Sequence, residues 1–176
     1  MQRAQLEHII RAASAITGVA QVVIVGSQAV LGQFPDAPAE LLASIEADLF
    51  TFRSPDDANL IDGSIGEGSP FHQTFGYYAH GVAEETSILP EGWKDRLIAV
   101  RNANTGTGCG LCLEIHDLAV AKLAAGREKD VSFVADLLRT HLADPALVES
   151  RLRQAPLEGE RFEHAHLRLK RLTLNS

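Results

Sequence analysis

The sequence predicts an α/β (α+β) domain, a mixed sheet flanked by helices and followed by a C-terminal helical part. Three observations carry this expectation. An apolar stripe at helical spacing opens the chain, β-branched and alternating apolar runs follow it, and the last third is helical in pattern.

Leu6, Ile9, Ile10, Ala13 and Ile16 recur at i, i+3, i+4 and i+7, as in a helix with one buried face, and Gly18 stands where that helix would end. QVVIV (residues 21–25) is a short β-branched run suited to a central strand. Gly26-Ser27-Gln28 then makes a tight exit, residues 29–31 begin another helical segment, and Pro35 and Pro38 interrupt it. A helical stretch over 40–44 leads to an alternating strand, IEADLFTF, at 45–52. Ser54-Pro55-Asp56-Asp57 reads as a helix opening, with Ser54 as the cap and two aspartates at the positive end of the dipole, and the glycines from 63 to 68 break that helix. Strands are expected over 77–82, 87–89 and 97–101. The Gly/Thr/Asn-rich segment 102–110 reads as a hairpin turn into 111–113. Helices follow over 117–125, stopped by Gly126, over 130–141, with Val131, Val134, Leu137 and Leu138 on one face, and from the Asp144-Pro145 cap to about 154.

A chain of 176 residues, 45% hydrophobic and 22% charged, has the size and composition of one globular domain with a small appendage. Its two cysteines, Cys109 and Cys112, make no disulfide framework, so a reducing cytoplasm is the expected compartment. The opening MQRAQLEHIIRAAS has no apolar run of signal-peptide type, and no stretch approaches the roughly 20 apolar residues of a membrane helix, so no membrane partner is expected. The formal charge of -7 argues at first sight against a polyanionic partner. That charge is unevenly spread, because residues 151–176 hold six basic side chains against three glutamates. The balance is therefore neutral on nucleic acid.

Two features carry possible chemistry. Glu46 and Asp48 lie two apart on the expected strand, so both carboxylates point to one side. Like charges so close suit a bridging, oxygen-seeking Mg²⁺, while the same spacing also suits a solvated strand face. Gly26 and Ser27 follow an apolar strand and precede a helical segment, where a glycine lets backbone approach a ligand and exposed amides with a hydroxyl can hold a phosphate. A strand-to-helix turn needs a small residue in any case.

The combination of GSQAVLG with IEADLF about twenty residues later resembles the nucleotidyltransferase fold of the DNA polymerase β superfamily. LEIHDLAVAKLAAGREKD (113–130) resembles the closing motif of the AbiEii-type toxin nucleotidyltransferases and their short relatives, and with LPEGWKDRL the likeness spans residues 22–138. The resemblance implies a nucleotidyltransferase-like domain over 1–143 and a helical tail over 144–176. It implies that Gly26 and Ser27 bind the triphosphate of an NTP, that Glu46 and Asp48 ligate Mg²⁺, that Lys122 reaches a phosphate and that Asp130 supports that lysine. A nucleotidyl group would pass to a protein or to tRNA or another RNA. The chain would act as the toxin of a toxin–antitoxin pair, with an antitoxin protein as partner.

The sequence departs from the family pattern twice. Glu46 stands where Asp is usual, and the third carboxylate of the neighbouring strand is not evident, His80 occupying a comparable place. A missing general base would leave a catalytically weak or inactive binding or antitoxin-like module. Cys109-Gly110-Leu111-Cys112 with His116 nearby invites a zinc or redox reading, but no second cysteine pair accompanies it. Arg127 and Lys129 read as surface charges.

Overall fold

The computed structural model describes residues 1–174; the last two positions of the expected tail lie outside the described residues. The fold is the mixed α/β class expected, with a five-stranded sheet, flanking helices and a C-terminal helical part. It divides into two compact units, residues 1–86 with 97–113, and residues 87–96 with the chain from 114 onward. Packing thus groups all the late helices in one unit.

The first unit holds the sheet. Helix α1 (Arg3–Thr17) buries Leu6, Ile9, Ile10 and Ala13 completely, the stripe its periodicity predicts, and ends at Gly18 in the left-handed region (φ 68°). Strand β1 (Gln21–Ile24) lies at the centre of the order β3-β2-β1-β5-β4, and its Val22, Val23 and Ile24 are fully buried. A 3₁₀ turn over Ser27–Ala29 and the short α2 (Val30–Gln33) follow. β2 (Glu46–Phe50) pairs antiparallel with β1 and parallel with β3 (Tyr78–Gly81), while β4 (Ile98–Val100) pairs antiparallel with β5 (Cys109–Cys112) and β5 parallel with β1.

Several local expectations are corrected. Ser54 does not cap a helix; its hydroxyl accepts from the Asp56 amide at 3.2 Å, and α3 (Asp57–Ile65) begins later. The buried Asp57 carboxylate ties that helix start to Thr51 and Arg53. The break expected within 63–68 falls at Gly66, with the buried Ile61 and Ile65 carrying the helix through Gly63. Helix α4 (Pro70–Phe75) was not expected, although Ser69 caps it by accepting from the His72 amide at 3.2 Å and Pro70 fills its first turn. Residues 87–89 form no strand.

The second unit is helical. Glu114 caps α5 (Ile115–Ala125) by accepting from the amides of His116 and Asp117, and Gly126 closes it at φ 68°. α6 (Glu128–Arg139), α7 (Pro145–Leu152) and α8 (Gly159–Leu174) all pack on α5, which explains why α5 has no polar stripe: eight of its residues are buried. The segment 87–96 joins this unit through Arg96, whose guanidinium donates to both oxygens of the fully buried Asp117 at 2.8 and 3.0 Å. His116 joins the ends of α5 and α7. Its Nε2 accepts from the Asp144 amide at 3.0 Å, so the ring proton sits on Nδ1 and is donated to Glu114 at 2.6 Å. No helix among the described residues is long and apolar enough to cross a membrane.

Candidate functional site

Strand alternation builds the site. Along β2 the burial pattern is half-exposed, buried, half-exposed, so Ala47 and Leu49 face the core and Glu46 and Asp48 share the opposite side. The parallel register sets Tyr78 beside Glu46 and His80 beside Asp48. His80 Nδ1 lies 3.1 Å from an Asp48 oxygen and 3.2 Å from a Glu46 oxygen, and the Tyr78 hydroxyl donates to the other Glu46 oxygen at 2.9 Å. One ligand atom from each of Glu46, Asp48 and His80 falls within 4.8 Å of the others, the one such cluster among the described residues. An open cleft of about 310 Å³ is lined by Glu46, Tyr78 and His80 of this group together with Asp62, Glu67 and Ala79.

Gly26 shapes the same corner from the end of β1. The Val25 amide donates to the Asp48 carbonyl at 3.0 Å, which draws the strand exit against β2. Gly26 has an ordinary φ of -80°, so conformation does not require a glycine there. Space does, since a Cβ would collide with the Asp48 carboxylate. Ser27, half-buried, opens the 3₁₀ turn that follows.

Charge crowding shows in the titration of each group. Burial pushes the Asp48 carboxyl above the usual range, and the neighbouring Glu46 pushes it further, with His80 only partly offsetting both. Burial alone would lower the His80 pKa, but the hydrogen bond and charge of Asp48, with Asp62 and Glu46 behind it, raise it overall. Burial and the Glu46 hydrogen bond push the Tyr78 phenol up to about 12, so it stays a donor. Two crowded carboxylates and an imidazole nitrogen are a donor set that suits a divalent cation.

Lys122 and Asp130 meet in the second unit. Lys122, nearly buried on α5, donates to Asp130 on α6 at 3.0 Å, with the Phe133 ring 5.6 Å from its ammonium group. Arg127 reaches the other Asp130 oxygen at 2.6 Å, so the fully buried carboxylate holds two cations. Burial opposes that charge, but Arg127 and Lys122 together bring the Asp130 pKa below its usual value. The two cysteines are free and buried, and burial pushes the Cys112 thiol up to about 12. At i and i+3 on a strand they point to opposite sides, and neither joins a metal-binding group among the described residues. His72 is engaged with the Gly68 amide.

The structure brings together Gly26, Glu46, Asp48 and His80, which the sequence singles out, and adds Tyr78, which it does not. The signal existed: Tyr78 and His80 are two apart on one strand, the same spacing that singled out the two acids.

An acid-x-acid strand beside a glycine turn in a mixed sheet is the arrangement that the resemblance to nucleotidyltransferases implies. The chain belongs to the family described as nucleotidyltransferase of unknown function (DUF6036), which it matches over residues 4–156. Comparisons with curated proteins and with solved structures find no match.

Proposed function

We propose that the chain is a cytoplasmic, divalent-cation-dependent nucleotidyltransferase that moves a nucleotidyl group from an NTP to an RNA or protein acceptor. The observation that carries this reading is the convergence of Glu46, Asp48 and His80 beside Gly26 in a chain of a nucleotidyltransferase family. An acceptor hydroxyl oxygen attacks the α-phosphorus, the bond from that phosphorus to the oxygen bridging it to the β-phosphate breaks, pyrophosphate leaves, and the hydroxyl proton passes to solvent. Such transfer depends chiefly on positioning and charge neutralisation. A divalent cation, when bound, would supply that neutralisation at the triphosphate. Glu46 and Asp48 hold the cation, Tyr78 fixes the Glu46 carboxylate, and Gly26 and Ser27 let the triphosphate approach the backbone. The closing motif adds Lys122 as a phosphate ligand and Asp130 as its support.

The AbiEii-type likeness of residues 113–130 supports a toxin role, with tRNA as an acceptor and an antitoxin protein as partner. Incubation with each NTP labelled at its α-phosphate, Mg²⁺ and total tRNA tests the reading. Label should pass to RNA or to protein and be lost in Asp48→Ala. Growth arrest on expression should depend on Asp48, and harmless expression overturns the toxin role alone.

One observation favours a second reading. His80 stands where the superfamily pattern has a third acid, so this site has no evident carboxylate base. A chain that binds NTP yet labels no acceptor is a nucleotide-binding or antitoxin-like module.

A further inference from the structure

The place opposite Asp48 on β3 holds a nitrogen donor, and the geometry around it is specific. His80 shares a register position with Asp48 and turns Nδ1 toward both acids, 3.1 Å from one and 3.2 Å from the other. Two ligands at right angles around an ion about 2.1 Å away sit about 3.0 Å apart. The His80 nitrogen is thus spaced from each acid as one ligand is from its neighbour in a coordination sphere, and all three donor atoms lie within 4.8 Å of one another. The Tyr78 hydroxyl takes one Glu46 oxygen at 2.9 Å and leaves the other beside His80, which fixes how that carboxylate is presented.

The donor chemistry decides which ion gains. Mg²⁺ is small, hard and oxygen-seeking, and a third carboxylate would serve it with charge as well as with an oxygen. A neutral imidazole gives it neither, whereas imidazole suits first-row transition ions, and carboxylates accept Mn²⁺ readily. We propose that His80 is itself a ligand of the cation held by Glu46 and Asp48, and that its nitrogen makes the site select a transition ion of the Mn²⁺ class over Mg²⁺. This inference rests on the reading of Glu46 and Asp48 as metal ligands. The same spacing also serves a direct hydrogen bond from His80 to the acids, and the test separates the two roles.

Titration of the purified full chain with Mn²⁺, followed by continuous-wave and pulsed electron paramagnetic resonance, reads both the affinity and the ligand atoms. One saturable site is expected, with a nitrogen coupling from the directly bound imidazole that His80→Ala abolishes. Competition with Mg²⁺ should show Mn²⁺ binding tighter, and His80→Asp should cut that preference at least tenfold by restoring an oxygen donor. Saturable binding in the unaltered chain without nitrogen coupling overturns the His80 proposal and leaves the metal site standing, and this readout needs no variant to fold. An unchanged Mn²⁺/Mg²⁺ ratio in a folded His80→Asp protein also overturns it. Binding that is absent, or that survives both Glu46→Gln and Asp48→Asn, overturns the metal-site reading itself.

Discussion

Gly26 acts through the side chain it lacks. With an ordinary backbone conformation, its only structural demand is room for the Asp48 carboxylate, so adding a methyl group displaces the acid rather than straining the turn. Gly26→Ala should therefore weaken Mn²⁺ binding by tenfold or more, read by calorimetric titration, while the urea midpoint moves by less than the equivalent of about 1 kcal/mol. A large loss of stability with unchanged binding would show that the glycine serves the fold instead. At this scale the sequence was readable where a single strand decides the matter. Glu46 and Asp48 follow from the period of two within β2, whereas His80 acquires its meaning only when β3 pairs with β2 in one register. Register between strands about thirty residues apart in sequence is set by packing, and no local pattern contains it.

Elements were legible in proportion to how much of their stability is local. The α1 stripe with Gly18, and the α5 stop at Gly126, were visible because periodicity and a left-handed cap are written into consecutive residues. The small α4 was not, since it depends on the Ser69 cap and Pro70, and which glycine of 63–68 ends α3 was not, since that depends on burying Ile61 and Ile65. The α5–α6 junction allows a quantitative expectation. Lys122 is 8% exposed and Asp130 1%, so Asp130→Asn leaves a nearly buried ammonium without its anion and should cost about 3 kcal/mol, measured by urea unfolding. The pH dependence has a definite sign. Arg127 and Lys122 hold the folded Asp130 pKa below its unfolded value of about 3.9, so its stabilisation is fully present above that value and is lost as pH falls through the lower folded pKa. Between pH 5 and 8 this carboxylate should contribute no slope. A difference between the unaltered chain and Asp130→Asn that changed across that range would contradict the assignment.

At the scale of the whole molecule, chain continuity and compactness do not coincide. Residues 87–96 belong with the helices that begin at 114, and Arg96 supplies two hydrogen bonds to a fully buried Asp117. A fragment of residues 114–174 therefore keeps only Arg151, 3.8 Å from Asp117, and lacks the guanidinium that hydrogen-bonds both oxygens of that buried carboxylate. It should show reduced helicity and no cooperative thermal transition by circular dichroism, and Arg96→Ala in the full chain should lower stability by about 3 kcal/mol. A fragment that melts cooperatively near the temperature of the full chain would show that the segment is dispensable. This interleaving was not legible, because reading elements in chain order does not show that a segment returns to a core built by later residues.

The central position of β1 has a consequence for how the molecule is made. One of its edges bonds to β5 in register from Gln21 with Cys109 to Ile24 with Cys112, so that edge stays open until nearly ninety further residues have been synthesised. Val22, Val23 and Ile24 of β1 are apolar and fully buried in the finished sheet, and an unpaired apolar edge invites association with other nascent chains. The sheet cannot close gradually from the amino end. Its completion waits on a late parallel pairing, which makes the first unit slow to mature and most vulnerable to aggregation while the ribosome is still translating its second half.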